Sequence, residues 1–346
     1  MSTNTILLYK SIEDYLGSAE QRFFGKGYRR AEYRFGDISV TLGDEGNLDV
    51  QAKLSVVYPH DWSVKADQID LRPHLSSIDT LVIGAQLSEI YLAHAYGFDK
   101  DARRNMRLRK VILRAGSTPE ENLIDIPLVA KLRTTKPLAG DGDRCISTID
   151  CQAGLMRARC EIEHQIAPRI NTTGVYRTVE EILGSPTSRY YGEGFKARKQ
   201  RIEDVQVDME MLRSDARVHV EAIQEEGMHS GTEGMNGQYQ PSVSMIDCFV
   251  VLLQMTQVMM YELDAVRRQD SNTLWMIQTV LEEVVLPDVA ADAQGLLSVD
   301  AQSTIRGKHL LPLHGSVWRN LDIVGHCGGI TMQSSIAHAL PSSVQA

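Results

Sequence analysis

Residues 11–30 read SIEDYLGSAEQRFFGKGYRR and residues 178–197 read TVEEILGSPTSRYYGEGFKA. Seven of the aligned positions are identical and seven more are conservative exchanges, such as Phe23 with Tyr190. Unrelated stretches of this length would share about one residue, so the pair marks an internal duplication. A second pair keeps nearly the same offset: PHLSSIDTLVIGAQLSEIY at 73–91 lies over PSVSMIDCFVVLLQMTQVM at 241–259, aligning Ser76 with Ser244, Ile78 with Ile246, Asp79 with Asp247 and Gln86 with Gln254. A weaker echo joins 149–168 to 323–340, each a glycine-containing strand closing on a histidine, His164 or His338. The chain therefore divides into an N-terminal unit, 1–170, and a C-terminal unit, 171–346.

Each unit follows one plan. Ser11 with Asp14, and Thr178 with Glu181, have the spacing of a capping box, and Gly17 or Gly184 closes the short helix. Alternating apolar residues at Leu48, Val50, Ala52, Leu54 and Val56, and again at Ala216, Val218, Val220 and Ala222, predict strands with one buried face. After a loop carrying His60 or His229, residues 75–96 and 243–263 predict helices apolar around most of their circumference, hence enclosed on nearly all sides. A buried helix among antiparallel strands, given twice, predicts an α+β double hot-dog: two sheets joined into one, each wrapping a long central helix, with the two helices together. The result is a pseudo-dimer within one chain, and homodimerisation stays open.

Composition narrows the functions. With 346 residues, 43% hydrophobic content and a net charge of −9, the chain is a folded protein without a nucleic-acid surface, which would need concentrated Lys and Arg. The longest apolar stretch, 249–260, is broken by Gln254 and Gln257 and is expected not to span a bilayer. The N-terminus lacks the basic and apolar regions of a secretory leader, so a cytoplasmic location is expected. Five cysteines without CxxC or HxxxH spacing point to reduced, mostly buried thiols, with no metal and no cofactor expected.

The blocks SIEDYLGS, RFFGKGYRR, RPHLSSIDTLVIGAQLSEIY and RYYGEGF resemble the avirulence D protein (AvrD) family of plant-associated bacteria, over the full length and most specifically in the SSID helix block. The resemblance implies a bacterial biosynthetic enzyme of secondary metabolism. That family is implicated in making syringolide-type elicitors, acylated sugar lactones assembled from a β-ketoacyl thioester and a pentulose. It is also similar in design to the hot-dog enzymes that begin γ-butyrolactone autoregulator synthesis. The implied partners are an acyl thioester, on acyl carrier protein or coenzyme A, and a small hydroxylated acceptor.

Candidate catalytic residues come from the repeat. Asp79 and Asp247 stand one turn into apolar helices, where a carboxylate is either a tuned general acid or base or a cap on the helix N-terminus. His60 in YPHDWS and His229 in GMHSGT precede them, and in paired hot-dogs the expected couples are His60 with Asp247 and His229 with Asp79; each histidine also reads as plain surface. His74 faces no counterpart, since Ser242 replaces it, which points to one active half-site near the first helix. His74, Ser77, Trp62, Gln86 and Gln254 are the candidate substrate-binding residues. Ser77 also fits capping, and the glutamines also fit pairing with each other. Met245, Met255, Met259 and Met260 suit an acyl tunnel or a core. The basic run Arg103, Arg104, Arg107, Arg109, Lys110 suits a carrier-protein phosphopantetheine or a solvated strand edge. Gly25-x-Gly27 and Gly192-x-Gly194 are expected at a strand entrance and suit close backbone approach rather than a dinucleotide fingerprint. The leading expectation is an acyltransferase or lactone-forming enzyme. A hot-dog dehydratase or thioesterase, and a non-catalytic acyl-ligand-binding protein, are the alternatives.

Overall fold

Alternation becomes strand where it was expected. Leu48, Val50, Ala52, Leu54 and Val56 are buried along one face of a ten-residue strand whose other face is partly open. The computed structural model describes residues 6–65, 72–223, 231–271, 274–284, 291, 295–313 and 316–340. Its strands are β1 (Ile6–Ser11), β2 (Glu32–Leu42), β3 (Leu48–Val57), β4 (Arg107–Arg114), β5 (Ile126–Pro137), β6 (Arg144–Ala153), β7 (Met156–Gln165), β8 (Gly174–Tyr176), β9 (Arg198–Asp208), β10 (Arg213–Ala222), β11 (Trp275–Glu283), β12 (Leu297–Leu313), β13 (Ser316–Cys327) and β14 (Ile330–Ala339). The α-helices are α1 (Glu13–Leu16), α2 (Ser77–Tyr96), α3 (Lys100–Arg104), α4 (Glu180–Leu183) and α5 (Met245–Leu263).

The strands form one fourteen-stranded sheet in the order β1-β9-β10-β12-β13-β14-β11-β4-β7-β6-β5-β3-β2-β8. Its neighbours pair antiparallel, and this large sheet with few helices is of the hot-dog kind. At its centre β11 pairs with β4, setting Val280 opposite Ile112, which are matching positions of the two copies. At its ends the copies exchange their first strands: β1 lies beside β9 and β8 beside β2.

Capping boxes start the long helices and not, as expected, the short α1 and α4, whose N-caps Ile12 and Val179 make no side-chain cap bond. Ser76 Oγ accepts from Asp79 N while Asp79 accepts from Ser76 N, and Ser244 with Asp247 repeats both bonds. α2 packs against β3–β7 and α4, whereas α5 packs against β9–β14 and α1. Both helices are buried around their girth, and each enclosed Leu, Ile or Val contributes about 1.5–3 kcal/mol of apolar burial. Gly84 marks the tightest seat, since a Cβ there would stand 2.9 Å from Ala158 Cβ on β7. One expectation is corrected here: the helices meet chiefly the sheet and the exchanged short helices, not each other. The short helices and glycine loops of the repeated block fill the middle, where Tyr28 and its counterpart Phe195 stack at 6.5 Å.

The glycine pairs also prove not to enter strands. Gly27 and Gly194 open 3₁₀ turns, and a Cβ on Gly27 would fall 2.0 Å from Trp62 O. Backbone contact at that distance excludes every side chain. The basic run is likewise corrected. Arg103 pairs with Glu89, Arg107 with Glu283, Arg109 with Glu163 and Lys110 with Glu282. Arg107, Arg109 and Lys110 stitch β4 to β11 and β7, and Arg103 ties α3 to α2. All five cysteines are free and buried. α5 has the length and hydropathy of a membrane span, but it is enclosed within the protein.

Candidate active site between the two copies

A cavity of about 110 Å³ opens where the copies meet. Phe23, Phe24, Trp62, His74, Leu75, Ser76 and Ser77 line it from the first copy, and Gln257, Tyr261, Arg268, Trp275 and Met276 from the second. Three candidate residues, Trp62, His74 and Ser77, thus share one site. The repeated RFFGKG segment delivers its aromatic wall: Phe23 packs edge-on against Phe24 at 5.1 Å and Trp62 at 5.4 Å, and Trp62 against His74 at 6.2 Å. Each such contact adds about 0.5–1.5 kcal/mol beyond burial, which favours a preformed wall.

His74 is held by a backbone carbonyl. Its Nδ1 lies 3.0 Å from Arg72 O, and because a carbonyl only accepts, Nδ1 is the donor. In the neutral ring Nε2 then carries the lone pair, the arrangement a general base requires. Ser76 and Ser77 bring the start of α2 to the same wall. There the first-turn amides of Ser77 and Ile78 have no intrahelical acceptor, and the helix dipole favours negative charge.

Arg22, Lys65 and Arg268 add positive charge, against the single carboxylate of Glu120 in the lining. Burial lowers the Lys65 ammonium to about 8 and the Arg22 guanidinium to about 10, with the Arg268 charge pushing both the same way. Lys65 Nζ donates to Ser271 O at 2.6 Å and to Ser271 Oγ at 3.2 Å.

The two aspartates stand elsewhere. Asp79 is fully buried and accepts from Ser76 N, from Tyr33 Oη at 2.6 Å and from Tyr58 Oη. Both phenols are pushed well above 10, first by burial and then by the Asp79 charge. Asp247 is 1% exposed, pairs with Arg198 Nη2 at 3.1 Å, and accepts from Gln200 Nε2 at 2.6 Å and from the N–H and hydroxyl of Ser244. The expected couple of His60 and Asp247 is absent: His60 is 97% exposed and, among the described residues, the acid within ion-pair distance is Asp61, at 4.0 Å. A carboxylate enclosed at 1% exposure is out of reach of a histidine that stands 97% in solvent. His229 lies outside the described residues, so its couple with Asp79 does too.

The glutamines correct a further expectation. Gln86 Oε1 accepts from Arg189 Nη1 at 3.1 Å and Gln254 Oε1 from Arg22 Nη1, so each glutamine is held by an arginine of the other copy's repeated block rather than by the other glutamine. Met245, Met255, Met259 and Met260 are core, and the methionines at the cavity are Met156 and Met276. Sequence reading missed Arg22, Gln257, Tyr261 and Arg268. Arg22 left a signal, being one of the identical repeat positions, and so did the exchange of Glu89 for Gln257. Arg268 left none. Among the described residues, no three His, Cys, Asp or Glu side chains converge as a metal site.

A large antiparallel sheet, long buried helices and a cavity at the meeting of the copies define a protein of the hot-dog class. The chain belongs to the AvrD family: the model of the Pseudomonas avirulence D protein (AvrD) matches residues 7–341. No curated protein matches the chain. Among solved structures it is similar to a MaoC-like dehydratase, at 8% identity and TM-score 0.37, covering 76% of this chain and 84% of that one. The dehydratase domain of PpsC from Mycobacterium tuberculosis, in complex with C12:1-CoA, is similar at 12% identity and TM-score 0.32, covering 88% and 98%. The dehydratase domain of a mycocerosic acid synthase-like polyketide synthase is similar at 10% identity and TM-score 0.36, covering 90% and 96%.

Proposed function

We propose that this AvrD-family protein is an acyltransferase that joins a β-ketoacyl thioester to a hydroxyl of a small acceptor, giving an ester or lactone, and that the cavity at His74 is its active site. The observation that carries the reading is the orientation of His74 beside the N-terminus of α2 in a cavity built by both copies. His74 Nε2 takes the proton of the acceptor hydroxyl as its oxygen attacks the thioester carbon. The Ser77 and Ile78 amides stabilise the charge that develops on the carbonyl oxygen. Collapse breaks the C–S bond, and the departing thiolate takes the proton from His74. Phe23, Phe24, Leu75, Met156 and Met276 offer the acyl group an apolar wall. The exposed His60 and the sealed Asp79 and Asp247 have no part in this scheme beyond shaping α2 and α5. The reading also treats 1–170 and 171–346 as two hot-dog units, each wrapped on its own long helix.

Purified protein given a β-ketoacyl thioester and a panel of hydroxylated acceptors should form acyl esters seen by mass spectrometry. His74→Asn should lower kcat about 10²–10⁴-fold with the thermal midpoint unchanged. Thiol released at the same rate without any acceptor would make the protein a thioesterase. Full activity in His74→Asn would remove the assigned base.

A further inference from the structure

The duplication supplies an internal comparison at the cavity. Arg22 and Arg189 hold matching positions, and each reaches the glutamine of the other copy's long helix. One turn further along those helices the copies diverge. On α2 the residue is Glu89, 1% exposed, whose carboxylate accepts from Arg103 Nη1 at 3.2 Å and from Met235 N at 3.3 Å. Burial lowers the Arg189 pKa, and the Glu89 charge opposes that shift. That half-site is filled, with Gly234 so close that an added Cβ would meet Glu89 Oε1 at 3.0 Å.

On α5 the matching residue is the neutral Gln257, and it lines the open cavity. Arg22 is buried like its counterpart, at 4% exposure against 1% for Arg189, yet among the described residues its acidic neighbour is only the half-exposed Glu13 at 3.9 Å. Arg268 stands in the same lining, donates to the carbonyls of Gln21 and Val64, and adds its charge to that of Arg22. Two guanidinium groups gathered in a partly desolvated site, with the balancing carboxylate replaced by an amide, leave a charge deficit that one copy fills from its own chain and the other does not.

We propose that the cavity binds an oxyanionic group of its substrate, a phosphate ester or a carboxylate, on Arg22 and Arg268 in the place that Glu89 takes in the other copy. This rests on the reading of the cavity as the acceptor site and names the acceptor's class: a hydroxylated compound that carries an anion. Guanidinium forks suit both groups, since each presents paired oxygens.

Thermal unfolding of the full chain in inorganic phosphate and, separately, in acetate at matched ionic strength separates the two anions. The wild type should gain a few degrees with the preferred anion, as any ligand of the folded state stabilises it. Gln257→Glu, which supplies the carboxylate internally, should abolish the gain, and Arg268→Gln should weaken anion binding at least ten-fold. An equal gain in wild type and Gln257→Glu, or none in the wild type, overturns the proposal. Transfer to a hydroxylated acceptor with and without its phosphate or carboxylate should show at least a ten-fold preference for the anion, lost in Gln257→Glu. Equal rates overturn the anion site and leave acyl transfer standing. Anion binding without transfer to any acceptor removes the transferase reading and leaves the anion site.

Discussion

At the scale of single residues, burial decides which titrations the fold feels. His94 and His164 are enclosed, and burial lowers both pKa values from 6.5. His164 bonds Gln165 O through Nδ1 at 2.8 Å and Ser147 Oγ through Nε2 at 2.8 Å. The unfolded chain therefore takes up protons below pH 6.5 that the folded chain refuses. Stability from this source is complete above pH 6.5 and declines as the pH falls, before carboxylate protonation begins near pH 5. Urea midpoints should drop between pH 7.5 and 5.5, and drop less in His164→Gln measured against its own pH 7.5 value. A midpoint level across that interval would refute the assignment. Residue chemistry was only half legible in the sequence. The aspartates were found because their positions repeat, but their partners, Tyr33, Tyr58 and Arg198, are set by strand pairing that one sequence does not display.

At the scale of elements, β4 and β11 show why a charge run misleads. Arg107 Nε donates to Glu283 Oε2 at 2.8 Å, both side chains are about 6–7% exposed, and the guanidinium lies 4.7 Å from the Tyr239 ring. The acids that complement Arg107 and Lys110, Glu283 and Glu282, sit on a strand 176 and 172 positions later, so local reading has no means of pairing them. Long helices and alternating strands were legible because their periodicity is local. Arg107→Met should cost about 3 kcal/mol, since it leaves the buried Glu283 carboxylate with only Arg109, 3.9 Å away. Adding Glu283→Leu should recover most of that loss, as an apolar pair needs no counter-charge. Equal destabilisation in the single and double variants, measured by urea unfolding, would show that the pair acts through packing instead.

At the scale of the whole molecule, the sequence repeat and the sheet divide the chain differently. In sequence the copies follow one another, but β1 completes the second copy's edge, β8 the first copy's, and β4–β11 joins them at the centre. The arginine–glutamine bonds cross as well, Arg22 to α5 and Arg189 to α2. Neither copy can unfold without removing an edge strand and buried hydrogen-bond partners from the other. A chain of 346 residues would ordinarily be expected to come apart in stages. Here the exchanged strands predict one cooperative transition. Trp62 reports on the first copy and Trp318, on β13, on the second, so variants in which Trp275 and one of these two are replaced by Phe should share a urea midpoint and slope with the circular dichroism of the full chain. Midpoints separated by more than about 0.5 M, where a slope of 1–3 kcal/mol/M makes the difference measurable, would mean that the copies are independent despite the exchange.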